Sequence, residues 1–166
     1  EFVAMGKLKE RESKAQLRWL IRRDMDRVME IERRSFLDQW AEDEYIKVLR
    51  ERNCIGTVLD PCSIEDLYGF MIYELDKYRL KILRMAVHPE LRRTGCGYQM
   101  IQRLKDKLDQ QRRYAIDADV CETNLDAQLF LRDMGFRAIG VMKRYYEDRP
   151  VIRFTYEIPG GFVAAQ

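Results

Sequence analysis

A chain of 166 residues (19.9 kDa), 46% hydrophobic and 35% charged, has the make-up of a globular protein able to bury its own core. Its net charge of +2 leaves no general field for nucleic acid, and no apolar run approaches the roughly 18 residues a membrane span needs. Four scattered cysteines (Cys54, Cys62, Cys96, Cys121) without C-x-x-C spacing, beside a single histidine, argue against zinc and fit a reducing cytoplasm.

The opening "EFVAMGK" lacks a secretory pattern and has the look of a cloning remnant ahead of a start at Met5. Residues 1–16 are polar and read as an extension, frayed or weakly helical. "LRWLIR" (17–22) alternates as a strand. In "RDMDRVMEIERRSF", Met25, Val28 and Ile31 recur at helical spacing, with Asp24 as the expected N-cap. A second helix is expected over 41–52, with Tyr45, Val48 and Leu49 on one face. Three strands follow over 54–60, 66–75 and 79–87, and their short links predict antiparallel neighbours.

Pro89 closes the third strand, and a helix with Met100, Ile101, Leu104 and Leu108 on one stripe is expected after Gly97. A strand at 114–121 precedes a helix capped at Asn124 and closed at Gly135. "FRAIGVMKRYY" and "VIRFTYEI" complete the pattern as two strands around the turn "EDRP". The order β–α–α–β–β–β–α–β–α–β–β describes an α+β fold with helices on the faces of a mixed sheet. Residues 79–121 form a parallel crossover if their strands pair.

The chemistry concentrates in "HPELRRTGCGYQM" (88–100). A helix N-terminus offers free N–H groups and the positive end of a dipole, and Gly95 and Gly97 let backbone approach phosphate oxygens. Arg92 and Arg93 add charge. The string lacks the G-x-x-x-x-G-K-[ST] of a P-loop, and Met100 stands where a dinucleotide fingerprint needs its third glycine. A glycine-rich turn opening an ordinary helix is the other reading of the string alone.

Read in context, "LRMAVHPELRRTGCGYQMIQRL" runs strand, V-x-P, then R-x-x-G-x-G into a helix, and "ETNLDAQLFLRDMGF" lies downstream. With "MEIERRSF" near the start and "RYYED" near the end, this arrangement resembles the GCN5-related N-acetyltransferase (GNAT) superfamily. Within it, the chain is most similar to the ribosomal-protein-alanine (RimI-type) and other protein N-terminal acetyltransferases. The resemblance covers about residues 17–158, taken as one domain with 159–166 as a tail. It implies an α/β/α-layered fold with a mixed, mostly antiparallel central sheet of about six or seven strands and about four helices.

The resemblance also implies roles. Arg92, Arg93, Thr94, Gly95, Cys96 and Gly97 would wrap the pyrophosphate of acetyl-coenzyme A, with Tyr98 opening the helix. Met85, Ala86 and Val87 would bond the cofactor's thioester and pantetheine arm through their main chain, and a backbone N–H there would stabilise the oxyanion. Asn124 would contact the same arm while capping its helix.

Asp119 occupies the family's general-base position, one methylene shorter than the usual glutamate. Tyr145 and Tyr146 match a turn that walls the peptide groove, although "EDRPVIRF" replaces the usual E-D-A continuation. Leu131 stands where the family carries a tyrosine that protonates the leaving thiolate, and leucine cannot donate a proton. The implied reaction is acetyl transfer to a protein N-terminal α-amine, on a ribosomal-protein-like acceptor, without an acyl-enzyme. No membrane or nucleic-acid partner is implied. Alternatives are a small-amine acetyltransferase on the same fold and an acyl-coenzyme-A-binding module that has lost catalysis.

Overall fold

A computed structural model describes residues 15–62, 66–143 and 149–164. Among these, the strands are β1 (Gln16–Trp19), β2 (Cys54–Asp60), β3 (Gly69–Leu75), β4 (Arg79–Val87), β5 (Ala115–Cys121), β6 (Arg137–Met142) and β7 (Val151–Glu157). The helices are α1 (Met25–Ser35), α2 (Glu42–Leu49), α3 (Cys96–Lys105) and α4 (Leu125–Asp133). The described strands form one sheet in the order β1-β2-β3-β4-β5-β7-β6. β1/β2, β5/β7 and β6/β7 are antiparallel and β4/β5 is parallel, so the expected mixed sheet with a parallel crossover is present. The chain divides into two compact units: residues to Tyr73 with Arg84–Gln102, and Glu74–Leu83 with residues from Arg103 onward.

In the first unit, Met25, Val28 and Ile31 on α1 are buried, as their spacing predicts. Helices of 8–11 residues are marginal alone, and burial of such side chains contributes about 1.5–3 kcal/mol each, as an upper estimate. Packing therefore holds these helices. Tyr45 of α2 is fully buried, edge-on to Trp40 and Phe70 at 5.3 and 5.8 Å.

Two boundaries differ from expectation for one reason. A short 3-10 turn, Arg22–Asp24, runs directly into α1, so Asp24 has helical dihedrals and does not cap α1. Its carboxylate instead accepts the Ile21 N–H at 2.9 Å and both ends of the Arg18 guanidinium at 2.7 and 2.8 Å. That bond draws Ile21 out of the strand, and β1 closes at Trp19 rather than at residue 22. α2 ends at Leu49, before a tight turn closed by Cys54 N–H to Glu51 O at 3.1 Å.

In the second unit β5 is central. It pairs with Arg79–Ile82 on one side and with all seven residues of β7 on the other. Ile116, Ala118 and Val120 are buried, as the alternation predicts. Asn124 caps α4 by accepting the Ala127 N–H at 3.2 Å, and Gly135 (φ +88°) ends it in the left-handed conformation. Lys105 Nζ donates to Met134 O and sits 4.2 Å over the Tyr156 ring. The expected tail is docked where described: Phe162 packs on Tyr78 and Tyr114, and Val163 N–H bonds Gln110 O at 2.8 Å.

Candidate active site

The first unit carries the strand and loop. β4 ends at Val87, and His88 turns the chain into a 3-10 turn, Pro89–Leu91, with its Nδ1 accepting the Glu90 N–H at 3.2 Å. His88 is a turn residue. Arg92 reaches back along the strand end, donating from Nη2 to Ser35 Oγ at 3.0 Å and from Nε to Val87 O at 3.4 Å. Arg93 (φ +60°) and Gly95 (φ +93°) both take left-handed backbone, which curls the loop into the first turn of α3. The Thr94 hydroxyl ties that curl to Leu91 O.

α3 begins at Cys96, two residues before the position expected. Of the two glycines only Gly95 takes left-handed backbone, and Gly97 lies inside the helix; Gln99 N–H to Gly95 O (3.0 Å) is the first helical bond. The N–H groups of Cys96, Gly97 and Tyr98 precede that bond and point out of the helix end. Cys96 is buried and Tyr98 is 53% exposed. A curled loop, a cradle without a side chain at Gly97, and a helix N-terminus fit a pyrophosphate.

Met85, Ala86 and Val87 form the last residues of β4. Gly69 of β3 lies so close that a Cβ on it would stand 2.8 Å from Ala86 O and 3.4 Å from Val87 Cα. The structure thus brings Met85–Val87 and Arg92–Tyr98 together within the first unit. Tyr145 and Tyr146 lie outside the described residues.

Asp119 and Asn124 belong to the second unit, on β5 and at the start of α4. Asp119 is not an isolated carboxylate. Arg153, its partner across β5 and β7, grips both oxygens, Nε to Oδ1 at 2.8 Å and Nη2 to Oδ2 at 3.0 Å. Lys81 Nζ stands 3.8 Å from Oδ2, and the Asp119 side chain is only 8% exposed. The Arg153 guanidinium is pushed above its ordinary range, first by its bond to Asp119.

Asp117, two residues earlier, is matched in the same way. Arg79 forks onto it at 2.6 and 2.8 Å, and Thr155 donates its hydroxyl to Oδ1. Burial pushes the Asp117 carboxyl up, but the Arg79 fork and the Thr155 bond outweigh it and hold it below the usual range. One face of β4–β5–β7 is therefore a lattice of paired charges. Leu131 is buried, at 5% exposure.

Arg79, Lys81 and Arg153 escaped the sequence reading. The alternating "RLK" and "DAD" carry a signal, but only the pairing order shows that β7, and not β6, lies beside β5.

The sequence model of the acetyltransferase (GNAT) family matches residues 15–136. A protein of Bacillus subtilis (strain 168), named as a ribosomal protein bS18-alanine N-acetyltransferase, is 26% identical over 136 residues, covering 82% of this chain and 89% of its own. The crystal structure of the ribosomal-protein-S18-alanine N-acetyltransferase from Escherichia coli superposes with a TM-score of 0.76 at 18% identity, over 92% of this chain and 97% of that one. Arabidopsis thaliana NAA60 with a bisubstrate analogue gives 0.74 at 17% identity, over 89% and 99%, and the same protein is also solved with acetyl-coenzyme A. The match spans well over half the chain and agrees with the fold and with the loop after β4. The chain belongs to the acetyltransferase (GNAT) family and is an acetyl-coenzyme-A-dependent N-acetyltransferase.

Proposed function

We propose that the protein acetylates the α-amine of a protein N-terminus, on a ribosomal-protein-like acceptor, by direct attack in a ternary complex, with residues 17–158 acting as one catalytic domain. The observation that carries the reading is the preformed turn Arg92–Gly97 between the end of β4 and α3, in a chain similar to N-terminal acetyltransferases. A ribosomal-protein acceptor would be met in the cytoplasm, and this reading puts the reaction there.

Bound acetyl-coenzyme A supplies an activated thioester. Arg92 and the N–H groups of Cys96–Tyr98 hold its pyrophosphate. The main chain of Met85–Val87 orients the acyl end and stabilises the negative charge that develops on the carbonyl oxygen, a role worth about 2.7–4 kcal/mol in other acyl-transfer enzymes. Asn124 steadies the arm while capping α4.

An α-amine suits a site whose acid–base apparatus is slight. With a pKa of about 7.7–8.0 it is roughly one-tenth neutral at pH 7, whereas a lysine near 10.4 is neutral in about one molecule in a few thousand. A thiolate, with a conjugate thiol near pKa 8.5, leaves without a proton donor at Leu131. Asp119 stands at the family's base position, with both its oxygens bonded to Arg153.

The test is an array of peptides with free N-termini, matched N-blocked peptides and small amines, incubated with radiolabelled acetyl-coenzyme A. Label confined to free N-termini is expected. Label confined to small amines sinks the reading, as does cofactor binding with no turnover on any acceptor.

A further inference from the structure

We infer that Arg153 is a positioning residue that withholds Asp119 from proton transfer, so that the acceptor nitrogen must arrive already neutral and α-amines are selected over lysine side chains. This rests on the reading of the protein as an N-acetyltransferase of peptide amines.

The argument is geometric. A carboxylate is a useful general base only when its surroundings let it keep the proton it takes, and adjacent cations oppose that by favouring the ionised form. Both Asp119 oxygens accept hydrogen bonds from one guanidinium, at 2.8 and 3.0 Å, in the bidentate arrangement that charge-assisted pairs favour. Lys81 adds a second cation at 3.8 Å. Among the described residues, the charged groups set against Asp119 include Lys81 on β4, Arg153 on β7, and on its own strand Asp117, whose charge Arg79 already matches. A proton placed on Asp119 would meet two cations and break the fork.

Nothing about strand pairing requires the fork. A neutral side chain at 153 would keep the β5–β7 ladder, which is built from backbone. The pair instead fixes where the proton is lost. The ammonium gives its proton to water before attack. The neutral nitrogen then forms the N–C bond to the acetyl carbon as the C–S bond breaks. The second proton shed by nitrogen goes to water or to the departing sulfur, leaving amide and free thiol.

Selectivity follows from the neutral fractions. At pH 7 an α-amine presents about two orders of magnitude more neutral form than a lysine side chain. A working base would blunt that difference by accepting the proton from either ammonium.

The experiment measures kcat/KM against pH 6 to 8.5 at saturating acetyl-coenzyme A, with a lysine-free peptide bearing a free N-terminus and an N-blocked peptide bearing one lysine. The native enzyme is expected to gain about tenfold per pH unit below pH 7.5, with the free N-terminus preferred roughly 100-fold or more at pH 7. Arg153→Met opens Asp119 to protons, so the profile flattens and the preference falls by at least tenfold. Arg153→Lys retains a cation and the native slope. A flat native profile, or an Arg153→Met profile that overlays the native one, overturns the proposal.

Should neither peptide be acetylated, the N-terminal reading fails on its own. The pair is then judged by carbon-13 titration of the Asp119 carboxyl in cofactor-free protein. A midpoint that rises in Arg153→Met supports the withheld carboxylate, and equal midpoints refute it.

Discussion

The Arg84 guanidinium forks onto the Glu32 carboxylate while lying 3.6 Å over the Phe36 ring. Glu32 is fully buried, and its remaining acceptor sites take the Tyr45 hydroxyl and the Trp40 N–H, the latter at 2.8 Å. Arg84 also donates to Asp38 O at 2.8 Å and approaches the Trp40 ring at 5.1 Å. One ion pair thus fastens the end of α1, the segment 36–41 and β4 immediately before Met85. Burial pushes the Tyr45 hydroxyl far up, and the Glu32 charge adds to it, so the tyrosine stays a donor at every working pH.

Breaking such a pair leaves a desolvated charge, so Glu32→Gln and Arg84→Met are each expected to cost about 3–5 kcal/mol. Combining the two substitutions should cost less than the sum, because no orphan charge remains. Urea midpoints of the two single variants and the double variant check this. Additive losses would mean that the two side chains do not act as a pair.

At the loop after β4, Gly97→Glu sets a carboxylate inside the first turn of α3, where the proposed function puts the pyrophosphate. Coenzyme A affinity is expected to fall more than tenfold by calorimetry. Arg92→Ala removes one cation and should weaken binding by a few-fold to tenfold. Gly95→Ala acts differently. At φ +93° a Cβ is strained by about 1–2 kcal/mol, so both stability and affinity should drop. Unchanged affinity in Gly97→Glu would remove the loop from the site.

The elements with strong periodicity were legible from sequence, and so was the loop. Met25, Val28 and Ile31 announce α1, and Asn124 with Gly135 brackets α4, because caps and burial spacing are local. What escaped depends on pairing across the chain. Arg153 is 34 residues from Asp119, and strand order alone sets them opposite each other. Asp24 was misread because an acidic residue before a helix fits either an N-cap or the third position of a leading turn. Arg18 decides the matter from the neighbouring strand. Glu32 and Arg84, 52 residues apart, were hidden in the same way.

The carboxylates predict the acid limb of stability. Burial pushes Asp24, Asp60 and Asp117 up, yet their bonds to arginine prevail, and each sits below its ordinary value in the folded chain. As pH falls, the unfolded chain therefore takes up protons first. Their contribution is whole above the ordinary carboxylate range, near 3.9, and is lost as pH drops through the lower folded values. Urea midpoints should be level from pH 7 to 5 and fall toward pH 3. In Asp117→Asn stability should start lower and decline less steeply with acid. A parallel decline would assign the effect elsewhere.

Two glycines give opposite expectations from similar distances. At Gly56 an added Cβ meets Leu49 Cδ2 at 2.7 Å, the far end of a side chain that can turn aside, so Gly56→Ala should cost less than about 1 kcal/mol. At Gly69 the obstacle is Ala86 O at 2.8 Å, with Met100 Cε at 3.0 Å behind it. Methionine yields readily, but a strand carbonyl does not. Gly69→Ala should therefore cost about 1–3 kcal/mol and displace Ala86 and Val87. In the proposed site that displacement raises the KM for acetyl-coenzyme A and leaves the peptide KM nearly unchanged. Repeating Gly69→Ala in a Met100→Ala background separates the two contacts, because Met100→Ala alone supplies the baseline for the cavity it opens. If the carbonyl is the obstacle, Gly69→Ala costs as much stability and raises KM as far in that background as in the native chain; a much smaller effect there would place the strain on the methionine and free β4 from this constraint.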